Sequence, residues 1–155
     1  MIIITTPKSR EEFKAYYALR YRVLREKFGL PKGTEKDDYE PISLHFIAVD
    51  DKKEEEIIGA VKMFEKAPGI AQFSHLAVAE NYQGKGIGRM LVDMVEEKAH
   101  QMGYKVIGTS TRLTATGFYE KLGYRLIGVD YLMIGRMQTV WMEKSLAENP
   151  AETKE

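Results

Sequence analysis

The chain contains no cysteine. That excludes disulfides, a thiol nucleophile and cysteine-ligated zinc or iron–sulfur sites, and it suits a reducing compartment. A surplus of charge is missing too, since 23 Lys and Arg face 23 Asp and Glu. A general nucleic-acid binder needs a basic excess to release counterions, so no nucleic-acid partner is expected. No apolar run reaches the roughly 18 residues of a membrane span. The opening Met1-Ile2-Ile3-Ile4-Thr5-Thr6-Pro7 has too short a hydrophobic run, and no basic leader, for a signal peptide. A cytoplasmic protein without a membrane partner is the expectation.

What is present is an ordinary globular composition: 155 residues, 44% hydrophobic and 30% charged. Such a chain can bury roughly 68–70% of its unfolded surface as one domain. Residues 2–5 read as a short edge strand closed by Pro7. Ser9 and Glu12 form a capping box, and behind it Phe13, Tyr16, Leu19 and Val23 recur at helical spacing until Gly29 and Pro31. Residues 30–43 read as a loop. Residues 44–49, 57–64 and 70–79 are strand-like, joined by a charged turn at 50–56 and by Lys66-Ala67-Pro68-Gly69.

The period then changes. Ile87, Met90, Leu91, Met94 and Val95 mark an amphipathic helix that Gly103 terminates. Residues 104–109 read as a strand, and Thr114 or Thr116 opens a short helix that Gly123 closes. Residues 124–129 and 137–144 form a last hairpin. The expected order is β-α-β-β-β-α-β-α-β-β: an α/β (α+β) domain over 1–147, with one mixed, mostly antiparallel sheet flanked by helices. Residues 148–155 read as a frayed tail.

The most informative stretch is the strand-to-helix junction with Gln83-Gly84-Lys85-Gly86-Ile87-Gly88-Arg89. Glycines at alternate positions remove each Cβ that would keep a ligand from the backbone. Free amides and the helix dipole then converge on one spot, which is an anion site and most simply a phosphate site. A P-loop needs Gly-Lys followed by Ser or Thr, and the junction lacks it. The dinucleotide fingerprint fails because Arg89 stands at its last glycine, and antiparallel strands precede the loop. Gln-x-x-Gly-x-Gly remains, with Gln83, Gly86 and Gly88 at the marked positions. The plain alternative is a turn that only packs helix against sheet.

Here the chain resembles a known family. Residues 75–88 are similar to the acyl-CoA signature of the GNAT N-acyltransferases, and residues 117–124, Gly-Phe-Tyr-Glu-Lys-Leu-Gly-Tyr, resemble that family's later helix–strand motif. A weaker likeness, in residues 19–26, 110–112 and 139–144, is to the small bacterial ElaA-like branch. The resemblance implies a GNAT-like fold and acetyl-CoA as co-substrate, with no metal. Its pyrophosphate would lie on the amides of Gln83, Gly84, Lys85, Gly86, Ile87, Gly88 and Arg89. Its pantetheine arm would run beside the backbone of Leu76, Ala77 and Val78. Lys85 and Arg89 are open to a phosphate contact or to plain solvation.

Acetyl transfer to an amine makes two demands. Holding a group of pKa near 10 neutral at pH 7 costs about 4 kcal/mol. The departing thiolate must also be protonated or stabilised. The resemblance gives Tyr119 the second task, as general acid; the alternative is a core tyrosine, the role expected of Tyr124. For the base, His75 has a suitable unperturbed pKa and Glu80 could act through water. His45 and His100 read as structural or exposed. Arg20, Arg22 and Arg25 read as a solvated helix face, with an anionic-acceptor pocket as the alternative. Arg112 stands where the family commonly has asparagine, which leaves a cofactor contact from that position in doubt.

With no cysteine and no Gly-x-Ser-x-Gly elbow, transfer would be direct, to a small-molecule or peptide amine. A non-catalytic acyl-CoA-binding or sensing domain is the alternative function. Acceptor choice is expected from the first helix, residues 30–43 and a turn at 130–135. The last strands could pair across a homodimer.

Overall fold

The computed structural model of the chain describes residues 1–134 and 137–146. The elements are β1 (Ile2–Thr5), α1 (Arg10–Leu24), β2 (Leu44–Asp50), β3 (Glu56–Ala67), β4 (Ile70–Val78), α2 (Ile87–Gln101), β5 (Val106–Arg112), α3 (Thr116–Lys121), β6 (Arg125–Ile134) and β7 (Met137–Ser145). Their order is the one read from the periodicities. The seven strands form one mixed sheet in the order β1-β2-β3-β4-β5-β7-β6, flanked by the helices. The β1–β2, β2–β3, β5–β7 and β6–β7 pairs are antiparallel. β4 and β5 are parallel, with Ile70, Ala71 and Gln72 against Val106, Ile107 and Gly108.

The described residues form two compact units: residues 1–64 with 73–95, and residues 65–72 with those from 96 to 146. In the first, Ser9 caps α1 in the expected box, its hydroxyl accepting from the Glu12 amide at 3.0 Å while Glu12 accepts from the Ser9 amide. The apolar stripe of α1 buries Tyr16, Leu19 and Val23. β2 and β3 bury Phe46, Ile47, Ala48, Ile58, Ala60 and Val61, and α2 adds Ile87, Leu91, Val92 and Val95. Gly59 permits this approach, because a Cβ there would lie 2.9 Å from both Ala48 Cβ and Leu91 Cδ1.

In the second unit Ile107, Tyr119, Tyr124, Val140 and Met142 are buried. Trp141 crosses Gly108 so closely that a Cβ would lie 2.2 Å from its ring. The Lys66 ammonium stands 3.7 Å from the centre of the same ring.

Several boundaries differ from expectation. α1 ends at Leu24, and a separate 3₁₀ turn, Glu26–Phe28, carries the chain to Gly29 in the left-handed region. β5 starts at Val106 and not at 104, because the Tyr104 hydroxyl leaves to bond Glu65 at 3.0 Å and the Lys105 amide bonds the Gly69 carbonyl. β6 continues through Ile134, so the expected turn at 130–135 is mostly strand, and Gly135 lies outside the described residues. The tail at 148–155 lies outside them as well.

Candidate active site

The junction after β4 is built in three steps. The Ala79 amide bonds the Ile58 carbonyl at 2.8 Å, and a 3₁₀ turn, Glu80–Tyr82, follows. Tyr82 is buried, its hydroxyl donating to Asp50 Oδ2 at 2.7 Å. The Gln83 side chain turns back and donates from Nε2 to the Val78 carbonyl at 2.9 Å. Gly84 and Gly86 come next with φ of 78° and 83°, a conformation that costs other residues, and a Cβ on either would meet nothing within 4 Å. The first bond into α2 runs from the Met90 amide to the Gly86 carbonyl at 3.1 Å. The amides of Ile87, Gly88 and Arg89 therefore precede it, without an acceptor in the helix. An open bend, bare of side chains, thus leads into a helix N-terminus, and its shape and dipole fit a diphosphate.

On β4, Leu76 and Val78 are partly covered and Ala77 is buried. His75 has φ of 57°, rare for a residue with a Cβ and absent from any sequence signal. Its Nδ1 meets Ser74 Oγ at 2.9 Å and its Nε2 meets Arg25 at 3.5 Å. A guanidinium only donates, so the ring nitrogen facing Arg25 is the acceptor and Nδ1 carries the proton toward Ser74. Burial, and then the cations Arg20, Lys62 and Arg25, push the His75 pKa well below its ordinary value. Glu80 is exposed; a hydrogen bond from its own amide, and Arg22 at 3.4 Å, hold its carboxyl below the usual range.

Beneath β4 lies a polar cluster that the sequence did not announce. Arg20 and Lys62 are both fully buried. Arg20 forks onto Glu40, with contacts of 2.9 and 2.7 Å, and also bonds Tyr16 and the Glu35 carbonyl. Lys62 holds both oxygens of Asp37, at 2.9 and 3.0 Å. Burial alone would raise the Glu40 carboxyl, but the hydrogen bonds and charge of Arg20 outweigh it and lower the pKa to about 2. The expected solvated face at Arg20, Arg22 and Arg25 is thus corrected: only Arg22 is exposed, while Arg20 and Arg25 turn inward to partners on residues 34–40. Asp37, Glu40 and His75 offer ligand atoms within 4.8 Å of one another. Lys62 and Arg20 already neutralise both carboxylates, so a metal ion there would have to displace a buried cation.

His45 is structural, Nδ1 at 2.7 Å from the Tyr16 hydroxyl and Nε2 at 3.0 Å from the Glu40 carbonyl, and His100 is exposed.

In the second unit, Tyr119 is 6% exposed on α3, edge-on to Phe118 and Tyr124. Burial pushes its phenol up, so it carries its proton at neutral pH. Tyr124 is a packing residue, donating to Glu96 at 2.7 Å beside Lys144. Arg112 is partly covered, its pKa lowered by burial. Ser110 bonds Asp130.

A family model described as an acetyltransferase (GNAT) domain matches residues 41–126, more than half of the chain. A crystal structure named for an N-acetyltransferase of Lactobacillus plantarum is 28% identical, with a TM-score of 0.80 over 95% of this chain and 98% of that one. An acetyltransferase of Bacillus subtilis in complex with CoA is 21% identical, with a TM-score of 0.70 over 94% and 98%. Escherichia coli ElaA is 17% identical, with a TM-score of 0.73 over 93% and 99%. The last two likenesses are of fold. Nothing among these relatives favours a non-catalytic sensing domain. No helix among the described residues is long and apolar enough to cross a membrane.

Proposed function

The chain belongs to the GNAT acetyltransferases and is an acyltransferase, and from that premise we propose that it moves the acetyl group of acetyl-CoA directly to a primary amine. The observation that carries the reading is the junction: Gly84 and Gly86 open, left-handed and without a Cβ neighbour, leading into the amides of Ile87, Gly88 and Arg89, which precede the first bond of the helix. In the proposal the diphosphate of acetyl-CoA takes the amides from Gly84 to Arg89, while the Gln83 amide, expected to join them, bonds the Glu80 carbonyl at 3.4 Å. The pantetheine arm lies along Leu76, Ala77 and Val78, whose carbonyl at Val78 the Gln83 side chain now holds. The bound CoA of the Bacillus subtilis fold neighbour is consistent with this use.

The acceptor nitrogen then attacks the thioester carbonyl. The C–S bond breaks, and the thiolate takes a proton from the Tyr119 hydroxyl, which burial keeps protonated. The proton lost by the amine goes through water to Glu80, ionised at neutral pH, or to His75. His75 is neutral there, but its accepting nitrogen faces Arg25, which makes it the weaker choice. With no cysteine in the chain, no thiol acyl-enzyme lies on the path. We assign the activity to residues 1–147 as one functional domain and place it in the cytoplasm. The acceptor is a small molecule or a peptide, and β6 and β7 are the strands through which two copies would pair. Titration calorimetry with acetyl-CoA tests the reading: saturable heat is expected, and its absence at millimolar ligand overturns it.

A further inference from the structure

We propose that Lys62 and Arg20 are positioning residues that clamp residues 30–43 against β4 at His75, and so fix one wall of the acceptor site. The use of that wall rests on the acyltransferase reading; the clamp itself does not. Residues 31–42 contain one buried side chain, Glu35, whereas Tyr39 and Ile42 are 47% and 66% exposed. Their regular structure is one 3₁₀ turn, Glu40–Ile42. Beyond the Tyr39 ring, stacked on Phe64 of β3 with centroids 4.4 Å apart, apolar burial does little to hold this segment in place.

Buried cations do it instead. Lys62 reaches from β3 to both oxygens of Asp37, and lies 3.9 Å from Glu40. Arg20 reaches from α1 to both oxygens of Glu40 and to the Glu35 carbonyl. Arg25 adds a bond to the Thr34 carbonyl at 2.9 Å, Tyr21 one to the Leu30 carbonyl, and Tyr17 one to Glu40. A buried ion pair contributes little net stability against a well-packed apolar replacement, so its use here is to select one arrangement. The arrangement selected brings Asp37 and Glu40 of the segment to His75 of β4, all three within 4.8 Å.

The test uses the full chain in three forms: wild type, Lys62→Met and the pair Lys62→Met/Asp37→Leu. Lys62→Met leaves Asp37 without its cation, so melting temperature should fall and amides of residues 30–43 should exchange about tenfold faster. In the pair no charge is stranded; the melting temperature recovers, yet exchange in 30–43 stays fast. A merely structural role would restore both, and that result, or unchanged exchange in Lys62→Met, overturns the proposal. If Lys62→Met does not fold, the pair alone gives the readout. With spermidine and an alanine-initiated tripeptide as amine probes, KM should rise about tenfold in the pair while the acetyl-CoA Kd holds. An unchanged KM removes the clamp from the acceptor site. A wild type that binds no acetyl-CoA overturns the acyltransferase reading and leaves the exchange result standing.

Discussion

Two glycines separate geometry for binding from geometry for packing. At Gly86 a methyl group has room but the backbone does not suit it, with φ of 83°. Gly86→Ala should cost about 1 kcal/mol of stability. It should also weaken acetyl-CoA severalfold, because relaxing that strain turns the neighbouring amides. At Gly59 the backbone is ordinary and the space is missing, 2.9 Å to Ala48 Cβ and Leu91 Cδ1. Gly59→Ala should cost about 1–3 kcal/mol by overpacking while leaving acetyl-CoA affinity unchanged. Urea denaturation and calorimetry on both variants distinguish the two cases. Tyr119→Phe is a third residue-level test. It removes a proton and little volume, so the acetyl-CoA Kd should hold while kcat falls about a hundredfold; equal kcat would return Tyr119 to the core-tyrosine role.

Among elements, the polar cluster that joins α1, residues 30–43, β2, β3 and β4 makes stability depend on pH with a definite sign. His45 and His75 both titrate below their ordinary 6.5 in the folded chain, chiefly from burial. The unfolded chain then binds more protons, so their contribution is present above pH 6.5 and is lost as pH falls below it. Glu40, lowered from 4.5 to about 2, adds a second contribution that is complete above pH 4.5 and fades as pH falls toward 2. Urea midpoints should therefore decline in two stages on acidification. His75→Gln should flatten the first stage and Glu40→Gln the second; parallel curves would mean that the cluster is not coupled to folding. Little of this cluster was legible in the sequence. Arg20 and Lys62 meet partners 20 and 25 residues away, and a helical period that correctly marks Tyr16, Leu19 and Val23 as buried reads Arg20 as outside. Local signals fared better because their causes are local. The Ser9–Glu12 box, the turn at Gly69, the close at Gly123 and the glycine junction each depend on residues within a few positions. His75 was not legible: no residue type around it in β4 signals a left-handed backbone, and its ring meets both its neighbour Ser74 and, across the fold, Arg25.

For the whole molecule, recognition through backbone amides has a measurable consequence. A ligand that binds only the folded chain stabilises it by RT ln(1 + [L]/Kd), about 2.7 kcal/mol at a hundred times Kd. For a chain of this length each kcal/mol is roughly 2–4 °C, so saturating acetyl-CoA should raise the melting temperature by about 5–10 °C. ATP and NAD should not match it, since the Lys-Ser/Thr of a P-loop and the last glycine of a dinucleotide loop are both absent from 83–89. The same logic ranks the side chains. Lys85 is exposed, with its ammonium 5.4 Å from the centre of the Tyr82 ring, and Arg89 is exposed on the first turn of α2. Charges so placed are screened by water and salt, so Lys85→Ala and Arg89→Ala should each lower the acetyl-CoA shift only slightly. Gly86→Ala should remove most of it. If instead the alanine at 85 or 89 abolished the shift and the alanine at 86 did not, the anion would be held by side-chain charge, and the bend would be only a hinge between β4 and α2.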